Sequence, residues 1–181
     1  MQIALFIFGT LLLIRLSWRA LANPKSHGFY RFFAFEGLLV LLIRNQPYWF
    51  IEPFSLMHLL SWLLLFISVV FIIRSMIMLK RYGGHAERAM LPENYAFENT
   101  THLVQEGLYH YIRHPMYSSL LFLAWGTFFK RMTALDFILA LLVTAFLLAS
   151  AKIEERENIQ FFGEKYVDYM QRTKIFIPWV L

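Results

Sequence analysis

Arg113, His114 and Pro115 stand together, with Tyr117 two residues on, where a polar stretch turns apolar in "GLYHYIRHPMYSSLLFLAWGTFF", Gly107 to Phe129. Further along, Glu154 and Glu155 interrupt another apolar run. A guanidinium and an imidazole can hold an anion, a phenol donates a hydrogen bond, and a carboxylate binds a cation or takes a proton. The chain contains no cysteine, which removes thiolate nucleophiles, disulfides and Cys-based metal or iron–sulfur sites. The remaining histidines, His27, His58, His85, His102 and His110, show no metal-ligand spacing, so no metal is expected. No G-x-G-x-x-G, P-loop, G-x-S-x-G or H-E-x-x-H pattern occurs, and soluble nucleotide-binding folds are unsupported.

The elements that must position these groups are membrane helices. The 181 residues are 59% hydrophobic and 18% aromatic, with mean hydropathy +0.51, more apolar than a soluble domain, where such residues make up roughly half. About five apolar runs approach the ~20 residues a helix needs to cross the hydrocarbon: Ile3 to Trp18, Phe29 to Ile43, Phe54 to Leu79, Pro115 to Phe129 and Thr133 to Ala151. The first lacks a basic start and a small-residue cleavage site, and is expected to be a retained span. With the N-terminus outside, alternating segments leave only Arg44, Lys130 and Arg131 of the 17 Lys and Arg on the outer side. The positive-inside rule then places the Lys80 to His114 loop and the C-terminus in the cytoplasm. The net charge of +5 is scattered over span ends, which points to topology and away from a nucleic-acid partner.

Only Lys130 to Met132 join the last two runs, so these form an antiparallel helical hairpin. Its first arm would cover ~22 Å of a ~30 Å core, which puts Arg113 and His114 at the headgroup boundary. Proline is tolerated in a helix's first turn, so Pro115 can start that arm. After the second arm, Ile159, Phe162, Tyr166 and Met170 recur at helical spacing, the pattern of an amphipathic helix lying along the surface. Adjacent carboxylates cannot face one direction on a helix, so one of Glu154 and Glu155 turns into the hairpin and the other to a different neighbour. The fold class is therefore all-α integral membrane: three spans and a cytoplasmic loop in residues 1–100, then the hairpin and an amphipathic C-terminal helix in residues 101–181, as one integrated domain.

"LVQEGLYHYIRHPMY", a short hairpin, "EE" and then "FFGEKYVDYM" together resemble the signature of the integral membrane methyltransferases that include isoprenylcysteine carboxyl methyltransferase and the phospholipid N-methyltransferases. The resemblance covers roughly Thr101 to Tyr169. It implies an S-adenosyl-L-methionine-dependent methyl transfer to a lipophilic or lipidated acceptor drawn from membrane lipids. It assigns Thr101, Leu103, Val104, Tyr109, His114, Pro115, Met116, Tyr117 and Glu154 to the cofactor, with Arg113 and Glu155 as catalytic residues, Glu155 orienting Arg113 or the substrate. The chemistry of these residues suits the cofactor: carboxylate and aromatic faces for a sulfonium and amino group, His114, Arg113 and helix N-terminal amides for its carboxylate. One departure stands out. Where carboxyl methyltransferases of this type carry an Arg one turn before the Glu pair, this chain has Ser150, and Lys152 lies on another face, so an amine, hydroxyl or other lipid-borne acceptor competes with a carboxylate.

Each feature also has a plainer reading. Taken alone, Arg113 and His114 are snorkelling interface residues, the Glu pair a solvated helix end, and Tyr109, Tyr111 and Tyr117 an aromatic belt. Glu36, inside the second run, would cost ~3 kcal/mol unless paired or protonated, and Arg31 or Arg74 is the expected structural partner. His58 is expected to be a helix-packing hydrogen bonder, and His102 and His110 solvated. Two rivals remain: a sterol-type reductase binding NADPH, for which clustered arginines are scarce, and a non-enzymatic membrane protein. The compact size makes a bacterial inner membrane the expected location, with the active site cytoplasmic. Acceptor identity and oligomeric state are not encoded in any motif.

Overall fold

In the computed structural model, residues 1–84 and 100–178 are described, and His85 and Arg88, in the loop expected to be cytoplasmic, lie outside them. The elements are α1 Gln2–Leu16, α2 Trp18–Leu21, α3 His27–Asn45, α4 Leu56–Tyr82, α5 Pro115–Phe128, α6 Ala134–Phe162 and α7 Glu164–Arg172, with single 3-10 turns at Gln46–Tyr48 and Gly107–His110. No strand forms among the described residues; an isolated parallel bridge joins Ile112 to Lys174.

Each of the five apolar runs is a helix, α1, α3, α4, α5 and α6. Two of them, α4 with 27 residues and α6 with 29, are long and apolar enough to cross a membrane. Their outward faces carry large exposed apolar side chains, including Leu59, Leu63, Phe66 and Val69 on α4 and Phe137, Ile138, Leu141 and Leu142 on α6. Apolar surface of that extent on a helix exterior suits hydrocarbon contact.

The core is a three-helix wedge. Ala34, Leu38 and Leu41 of α3, Tyr117, Leu121, Ala124 and Phe128 of α5, and Ala140, Val143, Leu147 and Ala151 of α6 interlock with Phe176 from the C-terminal tail. Their spacings of three and four place each set on one helix face. α4 packs on α5 by a different device. Ser61 donates to the Gly126 carbonyl at 2.6 Å and Ser68 to that of Ser119 at 2.7 Å. Serines seven residues apart share a face, so small polar side chains form the seam, as is common between membrane helices. A Cβ on Gly126 would stand 3.2 Å from the Leu65 backbone nitrogen, so the seam needs glycine there.

Thr133 and Asp136 close the outer end of α6. The Thr133 oxygen accepts from the Asp136 amide at 3.2 Å, and its hydroxyl donates to the Asp136 carboxylate at 2.6 Å, a capping arrangement. Glu36 accepts from Thr10 across the α1–α3 contact at 3.0 Å. His58 meets Ser55 at 3.1 Å and the Tyr48 carbonyl at 3.2 Å, tying the start of α4 to the preceding turn.

Two expectations are corrected. Glu36 takes its hydrogen bond from Thr10 instead of pairing with Arg31 or Arg74, and the amphipathic pattern at the C-terminal end is divided. Ile159, Phe162, Tyr166 and Met170 do not share a helix: α6 runs on to Phe162, Gly163 breaks it at φ 62° and ψ −143°, and the amphipathic α7 starts at Glu164. That backbone conformation is open to glycine, and the break folds α7 back over the inner end of the bundle, burying Tyr166 and Tyr169.

Candidate functional site

Six helices contribute to one cavity of about 450 Å³, within the size range of small-molecule sites, roughly 300–1,000 Å³. α3 contributes His27, Arg31 and Phe35, one residue every turn along a single stripe. α5 supplies His114, Met116, Tyr117 and Leu120, α6 Glu154, Glu157 and Asn158, and α7 Tyr166 and Tyr169. Leu13 and Leu16 of α1 with Ile72 and Met76 of α4 make the remaining wall. Most polar groups therefore gather at the mouth, while the depth toward mid-bundle, Arg31 apart, is aliphatic and aromatic.

At the mouth, α5 begins with Pro115 in its first turn, and the residues before it are pinned from the other side. Arg113 N donates to Lys174 O at 2.8 Å, His114 N to Ile175 O at 3.1 Å, Lys174 N to Tyr111 O at 3.0 Å, and Ser118 Oγ to Phe176 O at 2.7 Å. The tail after α7 is thus an extended strap across Tyr111 to His114. The Arg113 guanidinium completes the clamp. Its Nε donates to Glu155 at 2.5 Å, and its Nη1 to the Met170 carbonyl at 3.2 Å, the Thr173 carbonyl and Thr173 Oγ1 at 3.4 Å. With side chains only 7% and 8% exposed, Arg113 and Glu155 form a buried, satisfied pair that holds loop, strap and α6 together.

Glu154, one position earlier, points the other way. Its side chain is 29% exposed and faces the cavity. Tyr117 hydrogen-bonds it, His114 Nδ1 lies 3.8 Å away, and the Arg31 charge also acts on it. His114 stacks on Tyr117 with ring centroids 5.5 Å apart. Ser150, where the family resemblance leads one to expect arginine, is fully buried; its oxygen lies 2.8 Å from the His27 carbonyl and 3.2 Å from Tyr117 Oη. Tyr166 hydrogen-bonds Asn158, and burial, reinforced by the Glu154 charge, pushes its phenol pKa up. Burial likewise raises Tyr169, which donates to the Tyr109 carbonyl at 2.6 Å. Both phenols stay protonated donors across the physiological range.

Of the residues singled out in the sequence, Leu103, Val104, Tyr109, Arg113, His114, Met116, Tyr117 and Glu154 line the cavity. Three do not. Thr101 borders a shallower adjacent hollow while its neighbour Thr100 reaches the main one; Pro115 is buried as the first residue of α5; and Glu155 acts behind the wall through Arg113. Tyr111, His102 and His110 are exposed. Sequence reasoning missed His27, Arg31, Glu157 and Asn158, and also the strap at 173–176. For Glu157 and Asn158 a signal existed: they stand one turn after Glu154, on its face.

The donor set fits S-adenosylmethionine. A half-exposed carboxylate held by a phenol suits its cationic amino and sulfonium groups, the Tyr109, Tyr117, Tyr166 and Tyr169 rings offer π faces, and His114 at a helix N-terminus suits its carboxylate.

Comparisons with known proteins give the family. The phospholipid methyltransferase family profile matches residues 56–165, more than half of the chain. Methanethiol S-methyltransferase 1 of Bradyrhizobium diazoefficiens is 35% identical over 72 residues, 40% of this chain and 25% of that protein. Methanethiol S-methyltransferase of Pseudomonas deceptionensis is 35% identical over 71 residues, 39% of this chain and 26% of its own length. Protein-S-isoprenylcysteine O-methyltransferase B of Arabidopsis thaliana is 38% identical over 79 residues, 43% and 40% respectively. The matched segments thus cover well under half of these relatives. No solved structure matches. A profile that runs through α4, the RHPMY entry, the hairpin and the Glu pair takes in most of the polar wall of the cavity, and on that ground the chain belongs to the phospholipid methyltransferase family.

Proposed function

We propose that this protein is an integral membrane methyltransferase that uses S-adenosylmethionine to methylate a lipophilic acceptor. The observation that carries the reading is the division of one cavity: Glu154, His114 and Tyr117 at a polar mouth, and Leu13, Leu16, Phe35, Ile72 and Met76 beyond it. A charged cofactor and a greasy acceptor need those two environments side by side.

In this reading α1, α3, α4, α5 and α6 all cross the bilayer, with the N-terminus outside and the cavity mouth in the cytoplasm. The acceptor enters sideways between α1 and α4, and the cofactor enters from the cytosol. The bound cofactor supplies an electrophilic methyl group. Glu154 would hold its cationic end, Leu103, Val104, Tyr109, Met116 and Tyr117 would line its pocket, and His114 would serve its carboxylate. Arg113 and Glu155 act as positioning residues, keeping His114 and the start of α5 in register under the strap. Catalysis is then mostly the alignment of acceptor and methyl carbon for in-line displacement in a site shielded from water. The names of the relatives, one set acting on methanethiol and another on isoprenylcysteine, bracket the acceptor between a small thiol and a lipidated group.

The test is calorimetric titration of detergent-purified protein with S-adenosylmethionine and, separately, NADPH, on wild type and Glu154→Ala. Saturable binding of the first, weakened at least tenfold by the substitution, is expected. Binding of NADPH alone, or of neither, overturns the reading.

A further inference from the structure

We propose that His27 and Glu157 form a proton-accepting dyad at the mouth of the cavity, which takes the proton that a protic acceptor loses as it is methylated. The inference rests on the methyl-transfer reading above and deepens it.

His27 opens α3, is 1% exposed and borders the cavity, with its Nε2 buried. Its Nδ1 lies 2.5 Å from Glu157 Oε2, and its backbone amide donates to the other oxygen of the same carboxylate at 3.3 Å. Both oxygens of Glu157, 14% exposed, thus face one residue. A carboxylate only accepts, so Nδ1 carries the proton and Nε2 is left with the basic lone pair. A carboxylate behind the ring also stabilises the imidazolium that forms when Nε2 takes a proton, the logic of His–Asp pairs in hydrolases. The ring is held further by its own backbone: Ser26 caps α3 by accepting from Phe29 N, and the His27 carbonyl receives Ser150 Oγ at 2.8 Å.

Placement matches the task. On the α3 stripe, His27 is at the mouth, Arg31 one turn deeper and Phe35 two turns deeper, ~12 Å along the helix. An acceptor whose chain runs along Phe35, Ile72 and Leu13 brings its head group to His27, across from Glu154. The charged and titratable groups around the imidazole are Arg31 on α3, Glu154 and Glu157 on α6, His114 on α5 and Tyr166 on α7, with Arg19 of α2 exposed on the outer surface. The chemistry balances without another reagent. The acceptor's lone pair forms the bond to the methyl carbon, the methyl–sulfur bond breaks with its electron pair left on sulfur, and the acceptor proton moves to His27 Nε2, then to water at the mouth. A carboxylate acceptor would need no such base, and a pair tied this closely would have no task.

The experiment uses full-length protein in detergent with S-adenosylmethionine and two probes, dodecanethiol and dodecylamine, from pH 6 to 10, on wild type, His27→Gln and Glu157→Gln. Saturable S-adenosylmethionine binding shows that each variant is folded. The expected result for His27→Gln is a fall in kcat of about 10²–10⁴-fold at pH 7 that recovers as pH approaches the probe's own pKa; Glu157→Gln displaces the pH profile. Independently of activity, the His27 ring signal in protein with isotope-labelled histidine, identified by its loss in His27→Gln, titrates at lower pH in Glu157→Gln. Equal loss at every pH, no loss, or a ring titration indifferent to Glu157→Gln overturns the dyad. A wild type that binds S-adenosylmethionine and methylates neither probe overturns the protic-acceptor assignment. A wild type that does not bind S-adenosylmethionine at all sinks the methyltransferase reading, while the ring titration still judges the dyad.

Discussion

The two ends of the helical bundle use the same side-chain chemistry to opposite effect. At the outer end Arg44 pairs with Asp136 at 2.8 Å, Lys130 lies over Trp62 at 3.3 Å and near Trp49 at 5.7 Å, and Arg131 covers Tyr48 at 4.6 Å. At the inner end Arg113 pairs with Glu155, and tyrosines surround Glu154. The outer groups pack on one another, the Lys130 ammonium against indole faces with no hydrogen-bond acceptor among the described residues, whereas the inner groups are spread around a cavity. An ion pair among aromatics is therefore not in itself a site. What separates the ends is that at the inner one a cavity lies between the helices, with α7 in its wall, and the Glu154 carboxylate faces it.

The largest effect should come from removing the clamp at the inner end. Arg113→Ala leaves the buried Glu155 with only His114 Nε2, 3.6 Å away, and breaking such a pair costs about 3–5 kcal/mol; thermal unfolding in detergent should fall accordingly and methyl transfer should vanish. Arg44→Ala, its outer counterpart, starts from a guanidinium 32% exposed, and Asp136 retains Thr133. The loss there should be about 1–3 kcal/mol, with specific activity of the folded protein intact. If Arg44→Ala abolished activity at unchanged stability, the contrast between ends would be wrong.

A second variant sharpens the contrast at the cavity itself. Tyr117→Phe keeps the ring that stacks on His114 and removes the donor to Glu154. Hydrogen bonds to charged groups are worth about 1.5–3 kcal/mol, so S-adenosylmethionine affinity should drop by roughly tenfold or more in calorimetry. Gly126→Ala, on the seam between α4 and α5, should do the reverse. A methyl group pressed on the Leu65 backbone costs about 1–3 kcal/mol of stability and should leave Kd for S-adenosylmethionine unchanged in the folded fraction.

The smallest effect concerns Lys130 at the outer end. Burial lowers the Lys130 ammonium from 10.5 to about 8. Between those values the unfolded chain holds a proton that the folded protein has lost, so stability rises as pH goes from about 8 to 10.5 and is lost as pH falls back through 8. Lys130→Met should flatten that rise in melts across pH 7–11, with no change in methyl transfer at pH 7; an unaltered slope would show that the indole faces hold the charge at its ordinary strength.

The helices were legible because apolar runs of membrane length have few alternative structures, and the Arg113 to Tyr117 entry and the Glu pair were legible because a short hairpin joins them. The opposite orientations of Glu154 and Glu155 also followed from helix geometry alone. The break at Gly163 was missed because the 3.6-residue pattern of Ile159, Phe162, Tyr166 and Met170 passes through it unbroken; only the positive φ, which a glycine in an apolar–polar alternation does not announce, divides the pattern into two helices. Thr101 and Thr100 differ by one residue in a loop, where no periodicity assigns a direction. His27 had no signature at all, since its partner stands 130 positions away.

The sequence by itself determined the solvent, the helices and the reactive pairs carried on one helix or across one tight turn, because those depend on composition and on the period of a helix. Only the tertiary structure decided that the mouth of α3 joins the site, that Ser150 ties helices together where a cation was expected, and that the tail after α7 straps the RHP segment. Each of those contacts links residues far apart in the chain, and their meeting is set by which helix faces pack, a property of the assembled bundle and of no local stretch.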